Sequence, residues 1–185
     1  RIISWIGDLV SEVVAVIPAR GGSKRIPGKN KRLFNGVPMI MWPIKALLES
    51  NTFSRVIVST NDLEIASLAE DAGAEVPFLR PENLSGDLVG AADVVRHAVR
   101  FLGLGEEVSV MNVYPTAPLP AAIFADAVSL HGTHRDHFVV SVENFWTEPD
   151  GTFSNMAAGN YAYTEDGTPI EGFNQALPVR VVWKS

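Results

Sequence analysis

Apolar runs of strand length alternate along the chain with amphipathic segments of helix length. Five apolar runs predict β-strands: Val13–Pro18, Arg55–Thr60, Glu75–Leu79, Val108–Tyr114 and Phe138–Val142. Four periodic segments predict helices: Met39–Glu49, Leu63–Ala72, Ala91–Leu102 and Ile123–His131. A strand that is apolar at successive positions is typical of a parallel sheet covered on both faces. The pattern therefore predicts an α/β fold in three layers, with a mostly parallel sheet between helices.

Punctuating residues predict where some of these elements begin and end. Asn61 and Asp62 offer N-cap side chains to the second helix, and Gly73 is suited to end it. Leu33–Pro38, which contains a glycine, is typical of a turn. Pro43 lies inside the first predicted helix, so it either marks the start of that helix or kinks its first turn.

The strand–helix pattern stops after residue 142. Residues 143–173 mix glycines, aromatic residues and turn residues with short extended pieces such as Tyr161–Thr164, which favours an excursion or a dimerisation arm. The predicted organisation is a core over 13–142, this arm over 143–173, and a return to the core over 174–185. Residues 1–12 form an N-terminal extension that does not fit a signal peptide, because its only basic residue is Arg1.

Composition narrows the class of protein. The 185 residues are 46% hydrophobic, enough for a sizeable core, and the formal net charge of −6 argues against a nucleic-acid-binding surface. The chain has no cysteine, so it has no disulfides and no thiolate chemistry. No apolar run approaches the length of a membrane span. We therefore expect a cytoplasmic protein with no membrane and no nucleic-acid partner.

One segment carries a concentrated positive charge. Six of the 15 Lys and Arg residues lie between Arg20 and Arg32, where there is no Asp or Glu. This segment follows the first predicted strand, and ligands of open parallel sheets collect at the carboxyl ends of strands. Gly21 and Gly22 would let the backbone approach a phosphate, and Ser23 offers a hydroxyl. A local polyanionic ligand is the favoured interpretation, and a merely solvated basic loop is the alternative.

Two common phosphate motifs are absent from this segment. In a P-loop, Ser23 would have to be a glycine, and Asn30 would have to carry a hydroxyl. The G-x-G-x-x-G fingerprint of dinucleotide-binding folds is also missing. The loop therefore does not predict an ordinary ATPase or a dinucleotide enzyme.

The segment IPARGGSKRIPGKN, with VIVSTND and AEVPFLRPENLS downstream, resembles the acylneuraminate cytidylyltransferases over about residues 14–142. The resemblance implies a Rossmann-like nucleotidyltransferase fold and a homodimer whose subunits pair through the arm. It also implies activation of a nine-carbon nonulosonic acid with CTP, which gives the CMP-sugar and pyrophosphate. The anomeric hydroxyl of the sugar would attack the α-phosphorus of CTP.

The resemblance also implies roles for individual residues. Arg20 and Lys29 would face the triphosphate and act in catalysis. The nucleotide-binding residues would be Ala19, Arg20, Gly21, Gly22, Ser23, Lys24, Lys29, Asn30 and Arg80. Tyr114, in the motif YPTAP, would contact the sugar, and this motif together with Gly90 is similar to pseudaminic acid cytidylyltransferases. Ala91 and Pro120 depart from the family pattern, so the identity of the sugar substrate stays open.

Magnesium is the cofactor that the resemblance implies, but its ligands are not identified in this chain. The family's metal-binding aspartates lie beyond a motif that appears here as Asn174–Pro178, seven residues from Ser185. We therefore expect either a continuation past Ser185 or no proper metal site. The alternative functions are a catalytically incompetent nucleotide-binding fragment or pseudoenzyme of the same fold, and a nucleotidyltransferase for a different sugar.

Three further groups of side chains could bind a metal or a ligand, but each has a simpler structural interpretation. His131, His134 and His137, with Asp136, suggest a metal, but their spacing does not converge on one helix face and favours a solvated helix end. Asp62 could reach the site, although its N-cap role explains it. Arg80 could instead form a surface salt bridge with Glu82 or Asp87.

Overall fold

The computed structural model describes residues 12–24 and 26–133 in full, together with the backbone of four strands between 138 and 163. The strands are β1 (Val13–Pro18), β2 (Leu33–Phe34), β3 (Val37–Pro38), β4 (Arg55–Ser59), β5 (Ser109–Asn112), β6 (Phe138–Val142), β7 (Phe145–Thr147), β8 (Phe153–Asn155) and β9 (Gly159–Tyr163). The helices are α1 (Met41–Glu49), α2 (Leu63–Asp71), α3 (Ala91–Leu102) and α4 (Ala121–Thr133). No helix in these ranges is long and apolar enough to cross a membrane.

A parallel sheet in the order β4-β1-β5 is the centre of the first compact unit, residues 1–124. Val14 of β1 pairs with Arg55 on one side and with Val110 on the other. Because strand side chains alternate, β1 contributes Ala15 and Ile17 to one hydrophobic cluster and Val14 and Val16 to another. All four side chains are fully buried, as the continuous apolar run predicted.

Helices cover both faces of this sheet. On the face of Ala15, α1 and α2 bury Ile44, Leu47 and Ile65. On the opposite face, α3 buries Ala98, with half-buried Phe78 packed beside it. The three-layer α/β architecture predicted from the sequence is therefore confirmed.

The connection from β1 to β4 contains a small hairpin. Strands β2 and β3 pair antiparallel across Asn35 and Gly36, both of which have positive φ angles of 51° and 80°. Two successive residues in this conformation form the tight turn that favours Asn-Gly. The predicted turn over 33–38 is confirmed, and Pro43 lies in the first turn of α1, where its missing amide is tolerated.

Two of the predicted strands differ from the structure. Glu75–Leu79 is not a continuous strand: it makes only isolated parallel bridges, from Glu75 to Ile57 and from Leu79 to Thr60. Pro77 lies between the bridges and has no amide to donate, which explains the gap. The strand predicted over Val108–Tyr114 is confirmed only for β5, although the amide of Val113 still bonds to the carbonyl of Val16 at 2.9 Å.

The second compact unit, residues 125–185, contains two antiparallel pairs. Strand β6 pairs with β9, and β7 pairs with β8. The predicted strand over 138–142 is thus confirmed as a strand, but its partner is antiparallel. The predicted domain bounds and the dimerisation arm stay predictions, and the extension over 1–11 and the segment 174–185 lie outside the described residues.

Candidate functional site

The basic loop, residues 19–32, begins at the carboxyl end of β1. Its first residue, Ala19, donates its amide to the carbonyl of Ser59 at 2.9 Å, which ties the loop to the end of β4. Its end is closed by a turn around Gly28, whose φ of 62° suits glycine and whose carbonyl accepts from the amides of Lys31 and Arg32.

Asn30 holds the two ends of this loop together. Its side-chain amide donates to the carbonyl of Arg20 at 3.0 Å, and its own carbonyl accepts from the amide of Ile40. Asn30 is 2% exposed, and its Oδ1 has no hydrogen-bond partner among the described atoms. A buried polar atom of this kind is rare and favours a donor supplied by water or a ligand.

Gly21 lies directly against the start of α2. A Cβ placed at Gly21 would be 2.6 Å from Oδ2 and 2.8 Å from Cβ of Asp62, so only glycine fits here without a shift. The amide of Gly21 donates to Oδ1 of Asn61 at 3.0 Å. The loop is therefore held against the residues that follow β4.

Asp62 has both a capping role and a role in holding the loop. Its carboxylate accepts from the amides of Glu64 and Ile65, which confirms the predicted N-cap, and from the ammonium of Lys31 at 3.1 Å. Partial burial would raise the pKa of Asp62, but the Ile65 and Lys31 hydrogen bonds outweigh it and lower that pKa. Lys31 also bonds to Glu64 at 2.6 Å, and these two carboxylates raise the pKa of Lys31.

Arg80 is the most buried charged side chain of the site. It is 6% exposed, and its guanidinium donates to Oγ of Ser59 at 3.1 Å and also to the Ser59 carbonyl. Burial, and then repulsion from the nearby Arg20, lower the pKa of Arg80 to about 10, so it stays charged at neutral pH. No described carboxylate pairs with it, and the alternative salt bridge with Glu82 or Asp87 is wrong.

Asp87 pairs instead with the basic loop. Its carboxylate contacts the guanidinium of Arg20 at 2.5 Å and the ammonium of Lys24. The hydrogen bond from Lys24, and to a smaller extent that from Arg20, lowers the pKa of Asp87. The loop thus already binds one anionic group from within the chain.

Several residues of the basic loop are accessible to a ligand. Gly22 is exposed, with no atom of the described residues within 4 Å of the position that a Cβ would occupy, and the side chain of Lys24 is 83% exposed. Lys29 is half-buried and forms no ion pair with any described residue. Arg25 lies outside the described residues.

A family model described as cytidylyltransferase matches residues 14–136, the part of the chain that contains this loop. The chain belongs to the cytidylyltransferase family. It is 38% identical over 174 residues to a CMP-N,N'-diacetyllegionaminic acid synthase of Legionella pneumophila, covering 90% of this chain and 73% of that protein. It is 43% identical over 108 residues to a pseudaminic acid cytidylyltransferase of Campylobacter jejuni, covering 57% of this chain and 47% of that protein.

A solved structure supports the fold. The cytidylyltransferase chain superposes on a CMP:2-keto-3-deoxy-manno-octonic acid synthetase complexed with CTP, with a TM-score of 0.58 and 22% identity over 71% of this chain and 52% of that one. The Rossmann-like nucleotidyltransferase fold predicted from the sequence is therefore confirmed. The predicted family is confirmed by the family model and by the relatives.

Tyr114 of this cytidylyltransferase lies at the same edge of the sheet as the basic loop. It follows β5 by two residues. If the pairing of β1 with β5, in which Val16 is opposite Asn112, is continued by two residues, Tyr114 is opposite Pro18. Its side chain is 65% exposed. Gly90 is the N-cap of α3, and Pro120 precedes α4. A role for Tyr114 in sugar binding stays a prediction.

The described residues provide no ready-made metal centre. No three His, Asp or Glu side chains among them are grouped so that they could hold an ion. The carboxylates of Asp62 and Glu64 are paired with Lys31. His134, Asp136 and His137 lie outside the described residues, and so does the segment 174–178.

Three residues of the site were not predicted as such. Asn61 and Lys31 hold the basic loop to the residues that follow β4: Asn61 accepts from the loop, and Lys31 donates to Asp62. Asp87 forms ion pairs with cations of the loop. The position of Asn61 directly after a parallel strand was a usable signal. Asp87 is separated from Arg20 by 67 residues, and nothing in the local sequence indicated their contact.

Proposed function

We propose that this member of the cytidylyltransferase family transfers the cytidylyl group of CTP to the anomeric hydroxyl of a nonulosonic acid and releases pyrophosphate. One observation carries the proposal. The buried, charged Arg80 lacks a carboxylate partner among the described residues and lies beside Arg20, at the carboxyl end of the parallel sheet. A buried positive charge of this kind favours a bound anion, and a triphosphate provides several charges.

The proposed reaction is a displacement at phosphorus. The oxygen of the sugar hydroxyl forms a bond to the α-phosphorus of CTP while its proton passes to solvent. The bond from that phosphorus to the bridging oxygen of the β-phosphate breaks, and pyrophosphate leaves with that oxygen. Such a transfer depends mainly on alignment and charge neutralisation. Arg20, Lys24 and Lys29 would bind the phosphates, and the exposed backbone at Gly22 would let the phosphates approach closely.

For the sugar substrate, we propose only the class, the nonulosonic acids. Relatives named for legionaminic acid and for pseudaminic acid are both similar to this chain, and the YPTAP motif with Tyr114 favours pseudaminic acid. The chain spans about half the length of the pseudaminic acid relative, so the activity of the whole protein is part of the proposal.

Magnesium and a partner subunit complete the proposal. Mg²⁺ is commonly held by substrate phosphates and only one or two carboxylates. The described residues do not form a complete metal site, so we expect the ion to enter with CTP. Pairing of two subunits through residues 143–173 and a cytoplasmic location are proposed from the family resemblance.

A pyrophosphate assay tests this function. The purified chain is incubated with CTP, Mg²⁺ and, separately, pseudaminic, legionaminic or N-acetylneuraminic acid, and the released pyrophosphate is measured. Release with one of these acids is the expected result. CTP binding without release would favour the second candidate, a catalytically incompetent nucleotide-binding protein of the same fold. Equal thermal stabilisation by CTP, ATP and GTP would contradict a function specific for CTP.

A further inference from the structure

Asp87 is held in place mainly by the cations of the basic loop. Its carboxylate contacts Arg20 through one oxygen and Lys24 through the other. No hydrogen bond from a backbone amide to this carboxylate is found among the described residues. The contact therefore joins two segments 67 residues apart almost entirely through charge.

The segment that carries Asp87 is suited to move. It is an exposed turn, with Gly86 before Asp87 and Gly90 after it, between a 3₁₀ turn over Glu82–Leu84 and α3. The neighbouring Leu88 is fully exposed, so no burial of that side chain anchors the turn. Moving the carboxylate away from the loop would therefore disturb little of the core.

The cations around this carboxylate are of the kind that also bind phosphate. Two neighbouring cations, a guanidinium and an ammonium, converge on the two oxygens of Asp87, and phosphate oxygens bind to the same pair of groups. The same Arg20 lies close enough to Arg80 to lower its pKa, so the site keeps a further positive charge that Asp87 does not contact. A triphosphate could satisfy all of these cations, whereas a single carboxylate satisfies only two.

We propose that Asp87 is an intramolecular competitor of the nucleotide: it occupies the Arg20 and Lys24 side chains in the free protein and must be displaced when a polyphosphate binds. This inference rests on the proposed function only for the identity of the polyphosphate. The opposite role would be a brace, in which Asp87 positions Arg20 and Lys24 for the ligand and so strengthens binding.

The test compares Asp87→Asn with a matched control, Glu75→Gln. Both variants remove one negative charge and break ion pairs with a cation, but Glu75 pairs with Arg55 at the amino end of β4, the opposite edge of the sheet. Binding of CTP and of inorganic tripolyphosphate to the full chain is measured by calorimetry at constant ionic strength. Urea unfolding checks that both variants are folded.

Competition predicts tighter binding in Asp87→Asn only. We expect the Kd for each ligand to fall on the order of fivefold, because exposed ion pairs of this kind are weak individually and two are removed. Unchanged binding in Asp87→Asn would overturn the inference, and weaker binding would overturn it and favour the brace. An equal gain in Glu75→Gln would overturn it too, since the effect would then reflect net charge.

The two ligands separate this inference from the proposed function. If tripolyphosphate shows the gain but CTP is bound no better than ATP or GTP, the competitor role stands and the cytidylyltransferase function fails. If neither ligand binds to the wild-type protein or to Asp87→Asn, the inference fails, because no polyphosphate displaces the carboxylate.

Discussion

Replacement of Gly21 by alanine should destabilise the protein, although the residue lies in a loop. The new methyl group would be 2.6 Å from Oδ2 of Asp62 and 2.8 Å from its Cβ. Real Cβ atoms do not approach other atoms so closely, so either the loop or Asp62 must shift. A shift of Asp62 would weaken its two N-cap hydrogen bonds to α2 and its contact with Lys31.

The magnitude follows from these interactions. Loss of an N-cap costs about 0.5–2 kcal/mol, and a weaker Lys31–Asp62 ion pair acts in the same direction. We therefore expect Gly21→Ala to lower the free energy of unfolding by about 1–2 kcal/mol, which corresponds to about 3–6 °C in Tm for a chain of this size.

Urea unfolding of a pair of variants provides the assay. Gly22→Ala is the matched control, because a Cβ at Gly22 meets no atom within 4 Å and its φ is not positive. A second background, Asp62→Gly, removes the atoms that clash, while glycine remains an acceptable N-cap. Equal stability of the two alanine variants, or a penalty for Gly21→Ala that persists in Asp62→Gly, would refute this account.

Two further predictions concern charged residues of the loop. Lys29→Ala should weaken CTP binding sharply without loss of stability, since no described residue pairs with Lys29, and unchanged affinity in a calorimetric titration would mean that the loop is merely solvated. In the Asp62→Asn variant, the free energy of unfolding should fall less steeply than in the wild type as the pH is lowered. The pKa of Asp62 is lowered on folding from 3.8, so its charge stabilises the protein above that value, and this contribution is lost as the pH falls through the folded pKa. Urea unfolding between pH 2 and pH 6 checks it, and identical pH profiles for the wild type and Asp62→Asn would contradict it.

The elements that the sequence predicted best are those with a strong apolar pattern. The run over Val13–Pro18 is continuous and buried on both faces, and its predicted bounds match β1. Glu75–Leu79 is also mostly apolar, but Pro77 interrupts its hydrogen bonding, so it forms only two bridges. Composition alone favoured a strand there, and the backbone chemistry of a single residue decided otherwise.

The site was predictable where it depends on local chemistry and unpredictable where it depends on long-range contacts. The glycines and cations of residues 20–32 are visible in the sequence, and so is the N-cap at Asp62. The steric reason for Gly21 is not visible, because it arises from the packing of Asp62 against the loop. The Arg20–Asp87 pair is likewise set by folding, since flanking residues carry no information about a partner so far along the chain.

The two arginines of the site differ in what could neutralise them. Arg80 is fixed by hydrogen bonds to Ser59 and is buried, so its charge is a permanent part of the folded protein. Arg20 is partly exposed and is neutralised by Asp87, which lies on an exposed turn and can be replaced. A ligand that displaced Asp87 would therefore gain Arg20 and Lys24 and would also approach the charge of Arg80, which pairs with no described carboxylate. A polyphosphate meets this requirement better than a singly charged anion, because neutralising several separated cations needs several separated negative groups.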